Sequence, residues 1–419
     1  MARSYDDPAY DPTARRLEHA RASVDTDENE ARGGRRTSES LEQRDAGASG
    51  ARVRRRGAGS LGSSRRARAV PPGPRSRATR TAGHTSTVRF VAWGAVAGRP
   101  EELAQALGGE ALCLFPPGEP RPRVLVRWLR SAVATVPYVL SERPGVLVVT
   151  NPPAVAALVG WFSARLVGAR LVLDSHPGAF GAQGDRVAAV LQPLHRWATR
   201  RATLSLVASE RWRARVEQWG GQAVVVHEAP GAWQARPPAR VAASRVLYVG
   251  RFARDEPWRE VIEAARITPQ LEVHMTGTPP ADLDPAVLPP NVRLVGYLGP
   301  DEYRQAVYDA DVVMSLTTEP GSVMRAGCEA VWAGRPLVVT GWPSSRQAFP
   351  FAVYVDNDPE SIAEALRHAV RTFRLLTDRA VDAVAVQRRR WEDQRDELAR
   401  RLCLDVSVEG SPSSGRGEG

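Results

Sequence analysis

The chain contains no lysine, and all 57 of its basic residues are arginine. So uniform a choice looks like genome composition, so arginine counts alone carry no functional argument. Cysteine is nearly absent too. Cys113, Cys328 and Cys403 are too few and too scattered for a disulfide framework or a zinc site, which fits a reducing compartment. No apolar run is long enough to span a bilayer. The best, Ala154 to Ala164, is about half of the ~20 residues required and is followed by Arg165 and Arg170, so it reads as a buried helix. The first fifty residues are charged throughout and do not fit a signal peptide. A cytoplasmic location is expected, with membrane association left open.

Acidic residues are missing between 51 and 86, where ten arginines fall, whereas residues 1 to 50 hold eight arginines and eleven acids. The whole chain is +10, so by subtraction residues 87 to 419 carry only about +3. Residues 1 to 86, rich in Arg, Ser, Gly, Pro and Ala, offer too little apolar surface to offset the entropy of ordering and are expected to be disordered. Two alternatives stand beside this reading. One is a polyanion-binding arm, which without interleaved aromatics would bind without sequence preference, so no specific nucleic acid partner is expected. The other is that translation begins near Val88.

From Val88 onward, apolar runs of four to six residues alternate with helical segments, the pattern of a parallel sheet covered on both faces. The runs TVRFVAW, ALCLF, GVLVVT, ARLVLD, LSLVAS and AVVVHEA form one set. After the Pro- and Ala-rich stretch Gly231 to Ser244, read as a linker, the set restarts with RVLYVG, LEVHMTG, VRLVGYL, VVMSLT, PLVV and AVYVD. The expected fold is α/β, with two Rossmann-like doubly wound domains facing a central cleft. The expected boundaries are a tail at 1–86, a first domain at 87–235, a second at 245–385, a terminal helix at 386–405 and a tail at 406–419. Ligands of such sheets bind outside the carboxyl ends of the strands. This singles out Gly94, Asn151, Asp174 to His176 and Ser209 in the first domain. In the second it singles out Gly250, Arg251, Gly277, Thr278, Tyr297 and Thr317 to Arg325.

The segment Thr317 to Thr340, TTEPGSVMRAGCEAVWAGRPLVVT, is the most informative. A Gly/Ser turn lets backbone N–H groups approach an anion at the start of a helix, here expected near Ser322, and a diphosphate suits that position. Glu329, two turns on, offers two acceptor oxygens for the vicinal hydroxyls of a ribose. An ordinary loop, helix and strand with an exposed Glu329 is the competing reading.

Four elements in order, VLYVGRF (246–252), LEVHMTG (271–277), NVRLVGYLGPDEYRQAVYDADVVMSL (291–316) and GSVMRAGCEAVWAGRPLVV (321–339), resemble the GT-B glycosyltransferases of family 4 and its relatives. In the first domain TNPP (150–153) and LVLDSHPGAFG (171–181) are distantly similar to the chitobiosyldiphosphodolichol β-mannosyltransferases. The resemblance implies that Glu329 holds the donor ribose and that Gly321, Ser322 and Val323 face the donor phosphate. It implies that Arg251, beside Gly250, pairs with the diphosphate, and that Gly277, Tyr297 and Leu298 lie beside the base. His176, with Asp174, is the candidate for contact with the transferred sugar or the acceptor. His195 reads as structural or surface.

Two departures stand out. The first glutamate of the family's glutamate-x7-glutamate motif is replaced by Gly321, leaving Glu319, two residues earlier, as the candidate substitute. The family's lysine after the first strand of the second domain is also missing, and Glu256 and Pro257 lie near its place. Arg251, Arg254, Arg259 or Arg325 could compensate, although a solvated surface role for Arg325 competes. The implied activity is retaining, metal-independent transfer of a hexose from a nucleoside diphosphate sugar to a glycan or lipid-linked acceptor, with no cofactor. A non-catalytic sugar-nucleotide-binding subunit and a GT-B-fold epimerase are the competing classes, and peripheral membrane contact is an open expectation.

Overall fold

The structure, a computed structural model, describes residues 87–94, 98–115, 124–181, 186–238 and 244–404. The expectations for the tails at 1–86 and 406–419 lie outside these residues.

The first sheet comprises β1 (Val88–Trp93), β2 (Glu110–Leu114), β3 (Val146–Asn151), β4 (Arg170–Ser175), β5 (Leu204–Val207) and β6 (Ala223–Val225). All are parallel, in the order β2-β1-β3-β4-β5-β6. Every residue of β3 is buried, which is why its sequence, VLVVTN, shows no alternation of apolar and polar positions. The second sheet comprises β7 (Arg245–Tyr248), β8 (Glu272–Thr276), β9 (Val292–Gly296), β10 (Val312–Ser315), β11 (Leu337–Thr340) and β12 (Val353–Val355). It is also parallel, in the order β12-β11-β10-β7-β8-β9. Chain direction across the sheet reverses between β1 and β3 in the first sheet and between β7 and β10 in the second. At those points the connecting segments diverge and leave a crevice at the carboxyl ends.

Helices fill both faces of each sheet. The larger of the buried clusters contains Phe90, Val148 and Leu206 from the first sheet together with Leu247, Val313 and Trp332 from the second. The two domains therefore share apolar core. Asp358 caps the helix Pro359–Arg371 by accepting from Ser361 N–H at 2.8 Å, with Pro359 at the first helical position where no donor is needed.

Two expectations differ from what is observed. The stretch around Ala154–Val167 is a helix buried on one side only, with Leu158, Phe162 and Leu166 exposed on the other. The expected boundary at 385/386 falls inside one continuous helix, Phe373–Arg401, which reaches back to the first domain. There Gln394 Oε1 accepts from His227 N–H at 2.9 Å. The linker is held in place over its described part, where Arg236 N–H donates to Ala333 O at 3.0 Å and Trp233 packs edge-on against Tyr303 and Tyr308. Among the described residues no helix is long and apolar enough to cross a membrane.

Candidate active site

The carboxyl ends of β7, β8 and β9 close on one another through glycine. Gly277 has φ +99°, and a Cβ there would lie 2.5 Å from Gly250 O and 2.8 Å from Arg251 Cα, so only glycine allows the two strand ends to touch. Its N–H donates to Gly296 O at 2.8 Å, and Thr276 Oγ1 bonds Gly250 at 3.1 Å. Gly250, Arg251 and Gly277 are thus brought together. Tyr297 and Leu298 follow directly on β9, with Tyr297 71% exposed.

Glu256 stands near the place where the resemblance implies a lysine, and its charge is of the opposite sign. Its buried carboxylate accepts the backbone N–H groups of Arg251 at 2.7 Å and Ala253 at 3.1 Å. Burial pushes its pKa up, against the pull of those two donors and of the Arg251 charge. Two N–H groups that could face a phosphate are therefore engaged internally.

The helix expected near Ser322 begins instead at Arg325 and runs to Trp332, with Met324 as its cap residue. Residues 317 to 324 form a turn held by local contacts. Ser322 N–H donates to Glu319 O at 3.1 Å, Ser344 Oγ donates to Ser322 O at 3.1 Å, and Glu319 N–H donates to Thr317 Oγ1 at 3.1 Å. Glu319 is half-buried in this turn and Val323 lines the cleft. Gly321 packs against the first domain, where its carbonyl accepts from Ser209 Oγ at 2.7 Å. A Cβ at Gly321 would lie 2.6 Å from the Trp212 ring, so no carboxylate-bearing side chain fits at this position in the observed arrangement. Trp212 is itself fixed by stacking on Phe180, with ring centroids 4.5 Å apart.

Arg325 is not a solvated surface residue. Its Nε donates to Glu329 Oε1 at 2.8 Å, Nη1 to Glu228 Oε2 at 3.0 Å, and Nη2 to Glu102 Oε1 at 2.9 Å. A cation at a helix N-terminus opposes the helix dipole, and these three carboxylates offset that penalty. Glu329 is only 6% exposed, and its other oxygen accepts from Tyr303 OH at 2.6 Å. Both carboxylate oxygens are therefore occupied, and a ribose hydroxyl would have to share or displace these partners. Burial pushes the Glu329 pKa up, with Arg325 and Tyr303 pulling against it, and burial does the same at Glu102 against Arg325.

From Glu228 the chain of charges continues into the first domain. Arg99 Nη1 donates to Glu228 Oε1 at 2.9 Å, while its Nη2 donates to Asp174 Oδ1 at 3.0 Å. Asp174 is buried at the end of β4, and its Oδ2 lies 3.3 Å from His176 Nε2. Burial alone would raise the Asp174 pKa, but Arg99 and then His176 outweigh it and hold the carboxyl well below the usual range. His176 leads into the short 3-10 turn Pro177–Phe180, and its side chain is 32% exposed. An imidazole backed by a fixed carboxylate and open on its other side can exchange a proton or hydrogen-bond with a hydroxyl group. The cavity beside it, lined by Arg99, Asp174, His176, Glu228, Val323 and Cys328, has a volume of about 50 Å³. That is enough for water and far too small for a sugar nucleotide. Cys328 is buried there, and its thiol is pushed up to about 12 by that burial.

His195 is structural. It is fully buried, its Nδ1 lies 2.9 Å from Ala179 O and its Nε2 lies 3.3 Å from Ser175 Oγ. Burial lowers its pKa to about 4.

Arg99, Glu102, Glu228 and Tyr303 had no signal in the sequence. They lie on three separate segments, Arg99 and Glu102 sharing one, and converge only through the packing of the domains. The spacing of Arg99 and Glu102, one turn apart on the helix Arg99–Ala106, is unremarkable by itself.

The chain has the GT-B fold, and residues 75–232 match the family model of the Glycosyl transferase 4-like domain. Among solved structures it is similar to HepE of Anabaena in complex with UDP-glucose, at 15% identity and TM-score 0.58, covering 76% of this chain and 99% of that one. HepE in complex with UDP and glucose aligns at 14% identity and TM-score 0.56 over the same shares. The UDP-GlcNAc 2-epimerase of Neisseria meningitidis bound to UDP-GlcNAc aligns at 10% identity and TM-score 0.48, covering 76% and 99%. No curated protein matches the sequence.

Proposed function

We propose, from the GT-B fold and the glycosyl transferase 4-like domain as premise, that this chain transfers a hexose from a nucleoside diphosphate sugar to a hydroxyl of a glycan or lipid-linked acceptor. The observation that carries this reading is the opposition of two strand-end crevices. The Gly250–Gly277 junction and the Arg325 helix start stand on one side, and the Asp174–His176 pair on the other. Domains hinged in this way admit a donor when open and exclude water when closed.

In the observed arrangement the turn at Gly321 is closed on Trp212, so donor entry requires the domains to part. Arg325 is then the cation best placed for the diphosphate. It holds three carboxylates, Glu102, Glu228 and Glu329, and parting the domains withdraws the two from the first domain, Glu102 and Glu228, and leaves donor N–H groups on the guanidinium. A cation at a helix N-terminus suits the charge that develops on a leaving diphosphate. His176, oriented by Asp174, is assigned to the transferred sugar or the acceptor hydroxyl. Retention of configuration and independence of metal follow from the family resemblance and are part of the proposal.

A specific observation favours a second reading, a sugar-nucleotide-binding subunit without transferase activity. Glu256 occupies the N–H groups of Arg251 and Ala253 and places negative charge near the place where the resemblance implies a lysine. Calorimetry with UDP-glucose, GDP-mannose and ADP-glucose, followed by product analysis on hydroxyl-bearing acceptors, separates the two. Binding with turnover supports transfer, binding without turnover on any acceptor supports the second reading, and absence of binding by all three donors rejects both.

A further inference from the structure

The first domain has a second cavity beside its strand ends, larger than the one at His176. A cavity of about 280 Å³ opens between the ends of β1 and β3, lined by Trp93, Arg127, Trp128, Asn151, Pro152 and Leu191. This is the point where the order of the first sheet reverses, and there the topology itself leaves a ligand crevice.

Asn151 is 0% exposed, yet among the described residues neither its Nδ2 nor its Oδ1 has a hydrogen-bond partner. A buried amide with both ends unpaired is costly, and a group that both donates and accepts would satisfy it. Vicinal hydroxyls do so. Trp93 has its own donor satisfied, since Nε1 bonds Thr135 Oγ1 at 2.9 Å, so it offers the cavity an apolar ring wall. Arg127 lines the same cavity with a buried Nε that is unpaired among the described residues, which suits an anionic oxygen next to the hydroxyls. The cavity also adjoins the cleft, because Asn151 O accepts from His176 N–H at 2.8 Å.

Around this cavity lies an exposed apolar surface. The helix Val124–Glu142 presents Leu125, Leu129 and Val133 at spacings of four, and the helix Ala154–Val167, packed against it, presents Leu158, Phe162 and Leu166 at the same spacing. Val187 and Val190 add to it from the helix Arg186–Val190. These helices carry Arg127, Arg130 and Arg165, and apart from Glu142, which bonds Arg89 at 2.9 Å, they contain no acidic residue. Apolar stripes with cationic flanks and no acids complement an anionic bilayer surface.

Building on the acceptor side of the proposed function, we infer that the Trp93–Asn151 cavity takes the head of an anionic membrane lipid bearing vicinal hydroxyls beside a phosphate, while the two helical stripes seat the protein in that leaflet. The head's hydroxyls pair with the Asn151 amide and its phosphate with Arg127. This places an acceptor hydroxyl on the His176 side of the first sheet without the lipid leaving the membrane.

The test is flotation of the full chain with vesicles of phosphatidylcholine alone, or of phosphatidylcholine mixed with equal amounts of either phosphatidylserine or phosphatidylglycerol. Both additions are anionic, but only the phosphatidylglycerol head carries vicinal hydroxyls. The expected order of binding is phosphatidylglycerol, then phosphatidylserine, then phosphatidylcholine. Leu129→Glu combined with Phe162→Glu should reduce partitioning onto both anionic vesicles by about a hundredfold with the melting temperature kept. Asn151→Leu should abolish the preference for phosphatidylglycerol over phosphatidylserine while keeping attraction to both. Should that variant fail to fold, Arg127→Gln tests the cavity from its rim and should lower phosphatidylglycerol retention. Equal binding to phosphatidylcholine, unchanged partitioning of the stripe variant, or a preference that survives both cavity variants would overturn the inference. No donor is present in these measurements. A chain that shows this pattern but binds no sugar nucleotide refutes the transferase reading and leaves the lipid site standing.

Discussion

A Cβ added to Gly321 would lie 2.6 Å from both Nε1 and Cε2 of Trp212, and Ser209 of the same domain bonds the Gly321 carbonyl at 2.7 Å. The position where the family resemblance implies a carboxylate is thus a contact between the two domains. A glutamate side chain there does not fit the cleft as it is closed in this arrangement.

Gly321→Ser should therefore destabilise the closed arrangement by about 1–3 kcal/mol, the cost of overpacking a contact that has no spare volume. Urea denaturation measures it, and stability equal to wild type would show that Trp212 moves freely. Gly321→Glu should hold the domains further apart, which small-angle scattering reads as a larger radius of gyration.

Arg325→Ala removes the one cation shared by Glu102, Glu228 and Glu329. With the guanidinium about a quarter exposed, the loss should fall near the low end of the range for breaking a buried pair, about 3 kcal/mol. Glu102→Gln in the Arg325→Ala background removes one of the stranded charges and should restore part of the stability. A double variant no more stable than the single one would show that the carboxylates do not repel.

Two histidines, His195 fully buried and His227 half-buried, set the acid side of stability. His195 and His227 have pKa values lowered by burial to about 4 and about 3, below the ordinary value near 6.5. The unfolded chain takes up these protons first, so their contribution is fully present above pH 6.5 and falls as pH drops toward the folded values. Glu329, Glu102 and Glu256, with raised pKa values, act in the opposite direction and gain stability as pH falls through them. The His195 share is isolated by comparing wild type with His195→Gln. Between pH 7 and pH 5 wild type should lose about 2 kcal/mol more than the variant. Parallel pH profiles would show that His195 is protonated in the folded protein.

His176→Ala should lower transfer by about a hundredfold or more, the usual contribution of a positioned acid or base, while donor affinity stays within twofold of wild type, or about 0.4 kcal/mol. Calorimetry and a product assay on the same preparation decide it. Normal turnover would remove His176 from the reaction and leave its contact with Asp174 as a structural one.

The paired strand-rich halves, the turn before the Arg325 helix and the strand-end positions Gly250, Gly277, Asp174 and His176 were all legible in the sequence. Each depends on local pattern: apolar runs for buried parallel strands, glycine where backbones meet, polar residues where strands stop. The start of the helix at Arg325 was missed by three residues, because local contacts among Glu319, Ser322 and Ser344 extend the turn beyond what the Gly/Ser composition indicates.

What the sequence by itself determined is the alternation that makes two doubly wound sheets and puts their loops on a common cleft. What only the tertiary structure decided is how the charges in that cleft are paired. Arg99, Glu102, Glu228, Tyr303 and Arg325 are spread far along the chain, the bonded pair Glu102 and Arg325 being 223 positions apart, and their bonding follows from the approach of two domains. Hydrophobic periodicity is a property of neighbouring residues and survives in one dimension. Electrostatic pairing depends on distance in space and burial, which residue order does not contain.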